Sequence, residues 1–277
     1  QQSGSGVAPD SAAPPFVAPA VQAERDLRLD LFRGLALWLI FLDHIPDNIV
    51  SWLTIRNYGF SDATEIFIFI SGFTAAFVYG RAMQQRGFVI AGARILKRAW
   101  QIYVAHIFLL VIYIAEIAYV TSSFENPLYA EEMNALDFLK NPDITIVQAL
   151  LLKFKPVNMD VLPLYIVLLL VFPVVLWLLL RKAPIALMAS VALYVVAWEL
   201  GWNIPAYPSG QWVFNPFAWQ LLFVFGAWCA LGGAERLGPA LRSPFTVAVA
   251  IVFLIFAFGV TLTWHFPRWS YLIPRWL

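Results

Sequence analysis

An arginine, ten residues and a histidine lie along one apolar segment, Arg33 to His44 in RLDLFRGLALWLIFLDHIP. At 100° per helical residue, Asp26, Asp30, Arg33, Leu37 and His44 fall within about 60° of one another and share one stripe. Arg33 and His44 then stand roughly 16 Å apart along the axis, so they can face one cavity from two depths. His44 is suited to general-base work because an unperturbed imidazole titrates near 6.5; the competing reading is a hydrogen bond between helices. Arg33 either meets a charged substrate or pairs with Asp30 at i and i+3. Asp43 points about 100° away from His44. It orients that ring only if the helix distorts at Pro46, and otherwise pairs with another helix. An ionisable group in hydrocarbon costs at least about 2.5 to 3.5 kcal/mol, so Glu65 in ATEIFIFISG also needs a purpose or a partner. His106, in a later apolar run, is expected to hydrogen-bond between helices. Arg94, Lys97 and Arg98 form a dense basic cluster: either ordinary positive-inside bias with lipid headgroup contact, or a site for a polyphosphate such as coenzyme A.

The elements that must hold these residues are membrane helices. Of 277 residues 61% are hydrophobic and 13% charged, and mean hydropathy is +0.74, more apolar surface than one soluble core can hide. Apolar runs at 31–52, 63–80, 99–120, 161–180, 184–202, 214–231 and 244–264 predict an all-α polytopic protein with about seven spans. Pro46 is expected to break the first, and Pro173 to bend the fourth. Residues 1–22, rich in Pro, Ala and Ser, read as a disordered lead-in without the basic and apolar regions of a signal peptide. Residues 23–277 form the membrane domain.

Placing the N-terminus in the cytoplasm puts twelve of the 18 Lys and Arg residues on that side and six opposite, which fixes the expected orientation. The hydrophilic excursion 121–160 then lies outside as a cap or lid, with a short surface helix near 144–152. Trp52, Tyr58, Trp202, Tyr207 and Trp212 are expected in an aromatic belt. The single Cys229 reads as a buried small hydrophobe, which excludes an internal disulfide. A net charge of +1 without a basic tract argues against nucleic acid. No Walker loop, GxSxG, HExxH or dinucleotide motif occurs, so ATP-driven transport and common soluble hydrolase chemistry lack support.

Arg33 to His44 resembles the motif pair of the membrane acyltransferase-3 family. The blocks RLDLFRGLALWLIFLDHIP, SDATEIFIFISGF, MDVLPLYIVLLL and NPFAWQLLFVFGAW, in this order, resemble the OpgC branch, whose members attach succinyl groups to osmoregulated periplasmic glucans. The resemblance implies an O-acyltransferase of the bacterial inner membrane, with succinyl-CoA or acetyl-CoA as donor, a periplasmic glucan as acceptor and no bound cofactor. It carries His44 and Arg33 as the motif pair and, by neighbourhood, Asp43, the three catalytic candidates; Arg94, Lys97, Arg98, Asp30 and Glu65, singled out by their own charge and placement, are the candidates toward substrate. The family has about ten membrane helices, so seven implies missing C-terminal helices or a short relative. Other classes stay open: a carbohydrate or lipid transporter or flippase, an O-acetyltransferase for another surface polysaccharide, or an inactive member that assists glucan assembly.

Overall fold

The computed structural model describes residues 27–45, 48–124 and 127–266, without the side chains of Pro127, Trp264 and His265. The lead-in 1–22, Asp26 of the polar stripe and the expected break at Pro46 lie outside the described residues. Among those described, every named element is a helix: α1 (Leu27–Asp43), two short 3-10 helices (Ile49–Leu53 and Ile55–Asn57), α2 (Ala63–Ser123), α3 (Pro127–Glu132), α4 (Leu136–Lys140), α5 (Pro142–Leu150), α6 (Val161–Glu199), α7 (Pro216–Trp228), α8 (Ala234–Leu241) and α9 (Pro244–His265).

Among the described residues four helices are long and apolar enough to cross a membrane: Ala63–Ser123, Val161–Glu199, Pro216–Leu241 and Pro244–Thr263. The expected count of about seven is not supported, for two physical reasons. The first run does not make one span: α1 has 17 residues, about 25 Å against roughly 30 Å of hydrocarbon. It ends in 3-10-type bonds from His44 N–H to Phe41 O and Ile45 N–H to Leu42 O. Each of two other pairs of runs joins into one helical element that is interrupted by a single non-helical residue. Arginine, glutamine and lysine are good helix formers, so the polar stretch between the second and third runs stays helical apart from Gly87, at φ 81° and ψ 174°. In α6 the break falls at Lys182 (φ −146°, ψ 64°), between Pro173 and Pro184 and not at Pro173 itself.

Both breaks reverse the chain. Phe67 packs edge-on against Tyr165 with ring centroids 6.2 Å apart, and a Cβ on Gly92 would touch Pro173 at 3.6 Å. On a straight helix Phe67 and Gly92 would stand roughly 37 Å apart, yet Tyr165 and Pro173 are only about 12 Å apart on α6. The two arms of α2 therefore lie side by side. By the same logic, Tyr165 and Phe172 meet Phe223 of α7, while Ser190 on the other arm of α6 bonds Gln220, one turn away.

One large apolar core joins α1 through Ala36, both arms of α2 through Phe67, Ala76, Ile95 and Ile102, α6 through Leu164 to Leu179, and α7 through Phe223 and Ala227. A second, smaller core joins Leu110, Ile114 and Ile117 of α2 to Ala130, Ala135, Ala149 and Phe154. Residues 127–160 thus form a folded helical cap on the far end of α2, where the sequence suggested one surface helix. Cys229 is buried and unpaired. Tyr58 stacks on Phe258, whereas Trp212, expected at an interface, is only 4% exposed.

Candidate functional site

Ala36 is 2% exposed, which turns one face of α1 onto the bundle. Arg33, one turn earlier on that face, pairs with Asp30 at 2.8 Å. The same guanidinium lies within electrostatic reach of the Tyr165 hydroxyl, and so does Arg98 from the second arm of α2. Tyr79, on the first arm, is reached by Arg98 and Arg94 and sits within reach of Tyr165. Three cations that sequence reasoning assigned to two separate roles thus converge on two tyrosines. Among the described residues neither Arg94 nor Arg98 has a carboxylate partner, and neither tyrosine hydroxyl makes a hydrogen bond. The Tyr165 ring is fixed edge-on between Phe67 and Phe223, each at 6.2 Å. An unneutralised guanidinium pair beside free hydroxyls can take an anion such as a phosphate, with bidentate contacts from arginine. Lys97 is exposed, and no contact joins it to this group.

The other sequence candidates separate. His44 follows the last turn of α1 and is exposed; its Nδ1 lies 2.7 Å from the Ile40 carbonyl. A carbonyl only accepts, so Nδ1 carries the hydrogen in that bond and the Nε2 lone pair stays available. Asp43 does not orient this ring: it accepts a hydrogen bond from Thr54, which is fully buried. Glu65 is explained locally. Its carboxylate accepts from the Asp62 N–H at 2.6 Å, while Asp62 accepts from Thr64 N–H, a capping box that starts α2. Glu65 also borders a groove of about 770 Å³ with Tyr194, Trp198 and Trp219.

Sequence reasoning missed a second polar group at the junction of the two cores. His106 is 0% exposed and neither ring nitrogen has a hydrogen-bond partner, so the expected bond between helices is absent. Lys155, in the loop between α5 and α6, points inward with its side chain 4% exposed. Its Nζ lies 3.6 Å from the centre of the Trp212 indole and 3.5 Å from Asp160 Oδ1, beyond good hydrogen-bond length. Burial pushes the Lys155 ammonium down to about 8 against the opposing pull of Asp160. Burial likewise raises the Asp160 carboxyl, with Lys155 opposing. The signal in the sequence was a lone lysine between Phe154 and Pro156, apolar neighbours that leave it no solvated face. Tyr165 gave none, because it is one aromatic in an apolar run.

The two groups lie along one line through the bundle. His106 is eight residues beyond Arg98 on α2, about 12 Å, and Asp160 is five residues before Tyr165 at the start of α6, about 7.5 Å. Among the described residues no cluster of three or more His, Cys, Asp or Glu side chains could hold a metal ion. No curated protein and no solved structure matches the chain. A family model described as OpgC protein matches residues 25–277, nearly the whole chain and both polar groups, and the chain belongs to that family.

Proposed function

We propose that this protein is a membrane O-acyltransferase that moves an acyl group, succinyl foremost, from cytoplasmic acyl-CoA to a hydroxyl of a periplasmic glucan. The observation that supports this reading best is that Arg33, Arg94 and Arg98, the last two exposed, all lie within electrostatic reach of Tyr79 or Tyr165. Arg94 and Arg98, without carboxylate partners among the described residues, fit the phosphates of coenzyme A. His44 is the base: Nε2 takes the proton of the acceptor hydroxyl, the oxygen attacks the thioester carbonyl, and the carbon–sulfur bond breaks. The thiolate leaves and is protonated to the thiol.

Transfer of isotope from labelled succinyl-CoA into glucan by the purified protein in vesicles tests the reading directly. Arg94→Gln, Lys97→Gln and Arg98→Gln together should raise the apparent KM for acyl-CoA at least about tenfold, the scale of one lost charged hydrogen bond. The glucan dependence should stay nearly unchanged. An unaltered acyl-CoA dependence would reduce the cluster to a topology signal. Failure of the wild-type protein to transfer label would favour the transport reading instead.

The inner-membrane orientation belongs to the same proposal. Both chain reversals, at Gly87 and Lys182, occur beside basic residues: Arg81, Arg86 and Arg94 at one, Arg181 at the other. Cytoplasmic tips would satisfy the positive-inside rule. In a Cys229→Ala background, Arg86→Cys and Glu131→Cys should react with an impermeant thiol reagent from opposite sides. Labelling of both from one side would overturn the orientation.

A further inference from the structure

The group at the core junction is built mostly of donors. Lys155 brings three N–H bonds, Trp212 one and His106 one, against a single carboxylate at Asp160. Lys155 Nζ, Trp212 Nε1 and both His106 nitrogens are buried without hydrogen-bond partners, an arrangement that costs free energy and calls for an explanation. They are close together: Nζ sits over the Trp212 ring at 3.6 Å, and its charge reaches His106. The surrounding backbone is tied down, with Asn134 Nδ2 donating to Lys155 O at 2.8 Å and Tyr207 N–H to Lys153 O at 3.0 Å. A held cluster with surplus N–H bonds suits an acceptor-only ligand, and a carboxylate is the simplest.

Its position says which carboxylate. The junction lies about 12 Å beyond Arg98 along α2. A donor whose phosphates occupy the Arg94 and Arg98 region extends its pantetheine arm and acyl group farther than that. We propose that Lys155, with Trp212 and His106 beside it, binds the free carboxylate of a dicarboxylic acyl group and so makes the protein prefer such a donor over plain acetyl. This rests on the acyl-CoA reading above. The site holds the far end of the acyl group and leaves the thioester chemistry to other groups.

The lysine must be charged to do this. The titratable groups that face it are Asp160 at the start of α6 and His106 on α2. Because burial pushes its ammonium down to about 8, the preference is fullest well below that pH and is lost as pH rises through it.

Calorimetry of succinyl-CoA and acetyl-CoA binding to the purified protein tests the site. At pH 7 the wild type should bind succinyl-CoA at least about tenfold more tightly, since a site built for a polar group rejects the analogue that lacks it. Lys155→Met should equalise the two by weakening succinyl-CoA alone. Lys155→Arg, charged at every accessible pH, should keep the preference at pH 9.5, where the wild type has lost most of it. Trp212→Phe keeps the ring under the ammonium but removes one donor, and should lower the preference severalfold. Equal wild-type affinities, or a preference that survives Lys155→Met, would overturn the proposal. If neither acyl-CoA binds, the donor reading fails on its own, and succinate alone decides the site. A rise in unfolding temperature with succinate that disappears in Lys155→Met upholds it, and no rise in the wild type overturns it.

Discussion

A protein carrying His44→Ala is expected to reach the membrane at wild-type level and to acylate glucan about 10² to 10⁴ times more slowly, the usual worth of a positioned general base. The structure explains why folding should survive. His44 is exposed beyond the last turn of α1, and the only polar partner of its ring among the described residues is the Ile40 carbonyl. That bond fixes Nδ1 as the protonated nitrogen and leaves Nε2 as the acceptor. His44→Gln should not rescue transfer, because an amide cannot take up the proton. Arg33→Lys should lose less than Arg33→Ala, and the gap between them measures how far a bidentate contact matters beyond charge. Initial rates with labelled succinyl-CoA, normalised to inserted protein, decide the matter. A near wild-type rate for His44→Ala would leave His44 as a residue that merely closes α1.

The second large effect concerns stability. Gly72→Leu and Gly226→Leu are each expected to abolish accumulation of folded protein. A Cβ on Gly72 would stand 2.0 Å from the backbone oxygen of Phe223, and one on Gly226 would stand 2.2 Å from that of Phe69. Ordinary carbon contacts lie near 3.5 to 4.0 Å, so even alanine must push the first arm of α2 and α7 apart by well over 1 Å. Neither neighbour can give way, because both are main chain in rigid helices. Overpacking a core costs about 1 to 3 kcal/mol even where side chains can shift, and total stability is typically about 5 to 15 kcal/mol. The two glycines answer one another across the crossing, as small residues do where membrane helices approach closely. Gly34→Ala, with nothing within 4 Å of its new methyl, is the silent control. Yield on detergent size-exclusion and the unfolding midpoint report the outcome. Normal yields for both leucine variants would show that this contact is not close.

What could be read in advance depended on sequence distance. The Asp30–Arg33 pair follows from their i, i+3 spacing, and it forms. The capping box was equally legible in SDATE, where an aspartate stands three residues before a glutamate, yet Glu65 was expected deep in the membrane, in need of a substrate or a partner on another helix. A local rule outweighed the hydropathy argument. The reversals were hidden for a different reason: a polar stretch of good helix formers looks like a loop, and only the backbone angles at Gly87 mark where the helix turns back. Tyr79, Tyr165, Lys155, His106 and Trp212 could not be grouped beforehand, because they meet only once α2 and α6 have doubled back on themselves. Arg33 was picked out by its spacing to His44 and Arg98 by its basic neighbours, and their common target was invisible.

The second arm of α2 belongs to two cores at once, one ending at Ile102 and the other starting at Leu110. This division makes the cap an exchangeable module. Its own packing is shared with the rest of the fold mainly through one helix and the Lys155 loop, so its outer surface can change without repacking α6 or α7.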